Sequence, residues 1–189
     1  VGSLPELNLR TYVRDRRTGT PGVFFLSLDA NNLLVVGVAR TMYSLPYYWA
    51  EMKMQQRSER DFVFYSRRRW TRSEIIFKAR YRGLGPNRNL AESRGGSLEY
   101  FLTERYCFFT RSQTGEPMRA NIHHVPWPLE DAEAEIERND LAATIGIRLP
   151  DEQPVLHYSR RLAVYVWQLE RLKGAHAQQR IPAEAMPSV

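Results

Sequence analysis

Apolar and polar positions alternate at the start of the chain. Leu7, Leu9, Thr11 and Val13 interleave with Asn8, Arg10, Tyr12 and Arg14, the period-2 pattern of a half-buried strand. The Thr18-Gly19-Thr20-Pro21-Gly22 cluster supplies a turn, after which Val23-Phe24-Phe25-Leu26-Ser27-Leu28 reads as a short buried strand. Asp29 is placed to cap a helix over residues 30–42. Pro46 ends that helix, and residues 47–54 resume extended structure.

The same reading predicts strands over 62–67, 75–82, 105–110 and 118–125, and Ser97 as the cap of a short helical turn over 97–102. The polar, glycine-rich segment 83–96 is long for a loop in one compact domain, and reads as a mobile segment or a lid. The clearest helix predicted spans 128–143. Leu129, Ala132, Ile136 and Leu141 give it an apolar stripe, and Glu130, Asp131 and Glu133 crowd the end where the helix dipole favours negative charge. Closing strands follow over 155–158 and 162–167. With no internal repeat and no linker, residues 1–173 read as one predominantly β domain, and 174–189 as a polar, disordered tail.

Composition narrows the class. At 189 residues and 43% hydrophobic, the chain is long enough for one sizeable core. No apolar run of about 18 residues exists to span a bilayer. Val1-Gly2-Ser3-Leu4-Pro5 lacks the basic and apolar regions of a secretory signal, and a valine at position 1 reads as a truncated start. The single cysteine, Cys107, precludes an internal disulfide and fits a cytoplasmic location. A net charge of +6 raises the question of nucleic acid. Arg67-Arg68-Arg69, between Tyr65 and Trp70, is the stretch best suited to phosphates and stacked bases. No nucleic-acid motif frames it, so a solvated basic loop at a strand end is favoured and nucleic acid is not an expected partner.

The chemistry is concentrated in residues 39–50, Ala-Arg-Thr-Met-Tyr-Ser-Leu-Pro-Tyr-Tyr-Trp-Ala. Its arginine, aromatic, small residue and proline are spaced as in the active-site segment of acetoacetate decarboxylases, which it resembles. Further phrases are Glu6-Leu7-Asn8-Leu9-Arg10-Thr11-Tyr12-Val13, Pro21 through Ala30, Ser97-Leu98-Glu99, and Phe101 through Tyr106. His123-His124, Pro126-Trp127-Pro128-Leu129 and Leu156-His157-Tyr158-Ser159 complete the set. Together they resemble the YqjF-like family of uncharacterised bacterial proteins, within the acetoacetate decarboxylase-like superfamily. The resemblance implies a mainly β fold, a cone-shaped closed β-sheet with a few short helices around a small cavity. It also implies that strands found in relatives ahead of Glu6 are missing here.

The decarboxylase lysine pair, of which the first forms a Schiff base, falls at Tyr47 and Tyr48. A phenol cannot condense with a ketone to an iminium, so decarboxylation through an imine is not expected. Where the resemblance places carboxylates, this chain offers Arg10 and Thr41. The loss of lysines and acids together reads as a different ligand. The expected pocket is therefore Arg10, Arg40, Tyr47, Tyr48 and Glu104. Arginines clamp a carboxylate or phosphate through a planar fork, phenols add donors, and Glu104 lies between the arginines or acts as an acid–base group. Strand alternation lets only one of the two tyrosines line the cavity, and Tyr47 is taken as that one.

Other groups carry less. His123, His124 and His157 lack metal-ligand spacing, and adjacent strand histidines diverge, so no metal is expected; one histidine should lie inward and hydrogen-bonded before Pro126. Lys78 reads as an exposed strand lysine, with replacement of the lost Schiff-base lysine from another wall as the alternative. The glycines show neither phosphate-loop nor dinucleotide spacing, so no cofactor is expected. The favoured function is binding of a small acidic or carbonyl-bearing molecule. The alternative is a lyase or hydrolase using a carboxylate or histidine without a Schiff base, and homo-oligomerisation is left open.

Overall fold

The computed structural model describes residues 5–86 and 96–172. Its organising strand is β2 (Pro21–Ala30), flanked along one edge by antiparallel β1 (Glu6–Arg14) from Ala30 opposite Glu6 to Pro21 opposite Arg14. The other edge is shared. β6 (Cys107–Arg111) runs parallel beside Val23 and Phe24, and β3 (Tyr47–Ser58) runs parallel beside Leu28, Asp29 and Ala30. One strand edge cannot hold both along its length, so the sheet forks at β2.

One arm continues antiparallel from β3 through β4 (Asp61–Arg68), β5 (Ile76–Gly83) and β8 (Leu129–Asn139) to β9 (His157–Ser159). The other runs from β6 to β7 (Pro117–His123), which pairs β10 (Tyr165–Val166) and β11 (Glu170–Arg171). The architecture is mainly β, one large mixed sheet with two short helices among the described residues. Among the described residues these pairings form an open path from β10 to β9 and do not themselves show the expected closure.

α1 (Leu33–Met42) begins at Asn32, whose Oδ1 accepts from the backbone N–H of Leu34 at 2.9 Å and Val35 at 3.1 Å. Asp29 is thus not its cap. It belongs to β2, is buried, and its carboxylate is taken by Arg68. α1 packs Val36 against Leu28, Ala30 and Tyr47. α2 (Leu98–Thr103) is capped by Ser97, whose Oγ accepts from Tyr100 N–H at 3.1 Å. Where β2 and β6 meet, a Cβ on Gly22 would stand 2.6 Å from the Phe109 ring and 2.8 Å from the Cys107 carbonyl, so only glycine fits.

The helix expected over 128–143 is instead β8, followed by a single 3₁₀ turn at Ala142–Ile145. Alanine and glutamate are strong helix formers, but pairing with β5 overrides the propensity. Half-buried Ala132 and Ala134 alternate with exposed Glu133 and Glu135, and Glu133 takes Arg82 from β5 at 2.6 Å. Of the segment 83–96, residues 87–95 lie outside the described residues, as does the whole tail expected from Gly174.

Candidate functional site

Around the fork lies a cavity of about 690 Å³, lined by β1, β2, α1, the end of α2 and the β6–β7 arm. Its walls are mostly apolar, with Val23, Phe25 and Leu28 from β2 and Val35, Val38 and Ala39 from α1. Alternation on β1 presents Glu6, Asn8 and Arg10 to it, and β3 contributes Tyr47.

The Tyr47 hydroxyl donates to Glu6 Oε2 at 2.7 Å. Tyr47 is only 8% exposed, and burial, with the Glu6 carboxylate beside it second, pushes its phenol well above its ordinary value. Tyr47 is therefore held neutral, a donor at the edge of the cavity.

A second polar group gathers where α2 ends. Arg105 is 8% exposed, with its guanidinium carbon 4.4 Å from the Phe101 ring centroid and 5.5 Å from that of Tyr12. Its Nη1 donates to the Glu104 carbonyl at 3.0 Å, but its buried Nε–H has no partner and no carboxylate pairs with it among the described residues. Arg10 donates to the Leu102 carbonyl at 3.5 Å and lies 5.8 Å from the same Tyr12 ring. His124 is buried, with Nδ1 2.8 Å from the Val125 carbonyl and Nε2 3.3 Å from the Arg105 carbonyl. Its ring meets Trp127 edge-on at 6.0 Å, and Trp127 Nε1–H is also buried without a partner. Arg105, His124 and Trp127 all line the cavity.

The structure thus brings Arg10 and Tyr47 to one cavity, and places Arg40, Tyr48 and Glu104 outside its lining. Arg40 is exposed on α1. Tyr48, on the opposite strand face, lies over the buried Arg68 guanidinium at 3.9 Å. Glu104 is buried; its carboxylate accepts from the Tyr106 hydroxyl and from Thr103 Oγ1, and it does not lie between two arginines. That hydrogen bond, with partial burial, pushes the Tyr106 phenol up to about 12.

An acid does stand by Tyr47, contrary to the expected loss of both lysine and carboxylate. It is Glu6, four residues before the Arg10 position where an acid was sought. Period-2 alternation from Arg10 back to Glu6 would have found it. His124 is the inward, hydrogen-bonded histidine expected before Pro126, whereas Arg105 and Trp127 come from loops, where no periodicity marks an inward side chain.

The remaining candidates are engaged elsewhere. Lys78 pairs with Glu137 at 2.5 Å and Lys53 with Glu51 at 3.8 Å, both on the surface, and no described cavity-lining residue is a lysine. Arg67 and Arg69 both converge on Glu51, at 3.1 and 2.7 Å, while Arg68 is buried with Asp29. That leaves little of the cluster free for phosphates. Cys107 is buried and donates to the Pro21 carbonyl at 3.3 Å; burial raises its thiol. Among the described residues no three His, Cys, Asp or Glu side chains converge as metal ligands, and no helix is long and apolar enough to cross a membrane.

The fold of this chain is similar to that of acetoacetate decarboxylase structures. The chain superposes on that of Legionella pneumophila subsp. pneumophila str. Philadelphia 1 with a TM-score of 0.51 at 12% identity, covering 89% of this chain and 64% of that one. A second acetoacetate decarboxylase structure gives 0.50, also at 12% identity, covering 85% and 66%. Over residues 1–163 the sequence matches the DUF2071 family, "Uncharacterized conserved protein", and the chain belongs to that family. It is 40% identical over 169 residues to the uncharacterized protein YqjF of Bacillus subtilis (strain 168), covering 89% of this chain and 66% of that relative. The chain therefore spans just under two thirds of the length of these relatives.

Proposed function

We propose that this protein binds a small molecule bearing a carboxylate or carbonyl group in the forked-sheet cavity, without Schiff-base chemistry. One observation carries the reading: Arg105 is a buried cation lining the cavity, with an unpartnered Nε–H and no carboxylate paired with it among the described residues. A buried cation met only by a carbonyl and two aromatic rings is costly, and an anionic acceptor on the ligand would relieve it. A mostly apolar cavity with a few convergent donors is the usual form of a small-molecule site. The absence of lysine from its described lining argues against an imine. The single buried cysteine supports a cytoplasmic setting, and the Bacillus relative a bacterial one.

A second reading, a lyase or hydrolase, draws on the Tyr47–Glu6 pair. Glu6 would accept a proton, and as it does so the neutral Tyr47 hydroxyl, released from the carboxylate, would turn to donate to developing negative charge. Glu104, turned toward Tyr106, is less suited.

The test is a thermal-shift screen of carboxylates and carbonyl compounds, with native mass spectrometry of hits. A ligand at a hundred times its Kd stabilises by about 2.7 kcal/mol, roughly 5–11 °C for a domain of this size. The hits should lose their effect on Arg105→Met. A screen in which no acid or carbonyl compound shifts the wild type refutes the reading.

A further inference from the structure

The lining also speaks to what the ligand carries besides its acceptor. Donors concentrate where α2 ends: Arg105 and Arg10 flank the Tyr12 ring, and His124 joins the Arg105 carbonyl to the Trp127 ring. The two unpartnered buried side-chain groups of the described lining, Arg105 Nε–H and Trp127 Nε1–H, are both donors, and neither side chain can accept a hydrogen bond. The acid in the lining, Glu6, already holds the Tyr47 hydroxyl. By contrast α1 offers the cavity only Leu34, Val35, Val38 and Ala39, and the chain beside β7 adds Val164 and Val166. Several of these stay open to solvent: Leu34 is 80% exposed, Val38 51% and Val164 47%. A small polar acid would satisfy the donors and leave this apolar wall wet.

We infer that the ligand is an amphipathic monocarboxylate, with its carboxylate on Arg105 and a hydrocarbon body along α1 and β2. This inference rests on the ligand-binding reading above and narrows it. The guanidinium supplies the charge, while Arg10 and Trp127 Nε1–H add donors near the head. The exposed apolar rim gives a body longer than the enclosed space a dry surface on which to continue.

The experiment is isothermal titration of the full chain with butanoate, octanoate and octan-1-ol. Octanoate should bind more tightly than butanoate by about fourfold for each methylene the cavity covers, up to roughly two-hundredfold for the four added. Octanol should bind at least about tenfold more weakly than octanoate, a gap that Arg105→Met should abolish while keeping the chain-length dependence. Arg105→Lys, which keeps the charge but not the fork, serves if the methionine variant does not fold, and should narrow the same gap. Val38→Ser on the exposed rim should weaken octanoate by a larger factor than butanoate. Equal binding of butanoate and octanoate overturns the inference and leaves the broader reading standing. Equal binding of octanol and octanoate overturns the assignment of the head to Arg105. Failure of every acid overturns the inference, and failure of the neutral carbonyl compounds as well sinks both.

Discussion

The Tyr47 hydroxyl reaches over β2 to Glu6 on β1, 2.7 Å away, although β1 and β3 share no backbone ladder. The register explains the reach: Tyr47 stands beside Leu28, Leu28 faces Asn8, and Glu6 is the next residue of β1 on the cavity side. A neutral phenol and a carboxylate therefore occupy the place where the resemblance would set an amine and a carboxylate.

Tyr47→Phe should remove this hydrogen bond and little else. Glu6 is exposed enough to rehydrate, so the expected cost is about 1 kcal/mol, a Tm loss of roughly 2–4 °C. The pH dependence has a defined sign. Burial first, and Glu6 second, raise the folded phenol above its unfolded value, so its contribution is complete below pH about 10 and is lost as pH rises beyond it. The gap between wild type and variant in urea denaturation should therefore narrow above pH about 10. A gap that widens there would contradict the burial argument.

Much of this fold can be read from local pattern, because β1 alternates over its first residues and β2 is a short apolar run buried on both faces. The caps are partly legible: Ser97 stands alone before its helix, whereas Asp29, Asn31 and Asn32 compete, and only packing shows that Asp29 belongs to Arg68. β8 misleads because Ala132, Ala134, Glu133 and Glu135 are helix formers whose strand state depends on β5, about fifty residues earlier. Arg40 misleads for a geometric reason. Val35, Val38 and Ala39 turn one helix face to the cavity, and each further residue rotates about 100°, which carries Arg40 away from it.

Arg40→Met should consequently be silent. Arg40 is exposed and outside the cavity, and such surface changes usually stay within about 0.5 kcal/mol. Its Tm and its affinity for any ligand of the cavity should match the wild type, in contrast to Arg105→Met. A tenfold loss of affinity on Arg40→Met would show that α1 rotates or unwinds on binding.

Borohydride added with acetoacetate should leave no adduct. Lys53 and Lys78 both lie on the surface, each beside a glutamate, and no described lysine reaches the cavity. Imine formation needs an amine placed at the bound ketone, and neither of these surface lysines lines the cavity. Intact-mass spectrometry after reduction reads the outcome directly, and peptide mapping would identify any modified lysine. An adduct at Lys78 would restore Schiff-base chemistry to the protein.

Arg68 and Asp29 set the largest stability effect expected. Both side chains are nearly inaccessible, at 3% and 2%, and Arg68 holds Asp29 Oδ1 through Nη2 at 2.6 Å and Nε at 3.0 Å. Nη2 also donates to Ser27 Oγ at 3.1 Å, and the Tyr48 ring lies 3.9 Å above the guanidinium. Arg68→Met leaves Asp29 buried and unpaired, which costs about 3–5 kcal/mol at neutral pH. Burial already pushes the Asp29 carboxyl up, and Arg68 is the group that opposes it. Without Arg68 the upward push stands alone, so the variant's Asp29 takes a proton more readily when folded than when unfolded. A group raised in this way favours the fold at low pH and loses that contribution as pH rises through its folded value. The deficit relative to wild type should therefore be largest at pH 7 and shrink toward pH 5. Asp29→Asn in the Arg68→Met background should recover part of it at pH 7 and nothing further at pH 5. Urea denaturation at the two pH values measures all three chains. A deficit under about 1 kcal/mol, or one independent of pH, would mean that water reaches the pair and that Tyr48 does not seal it.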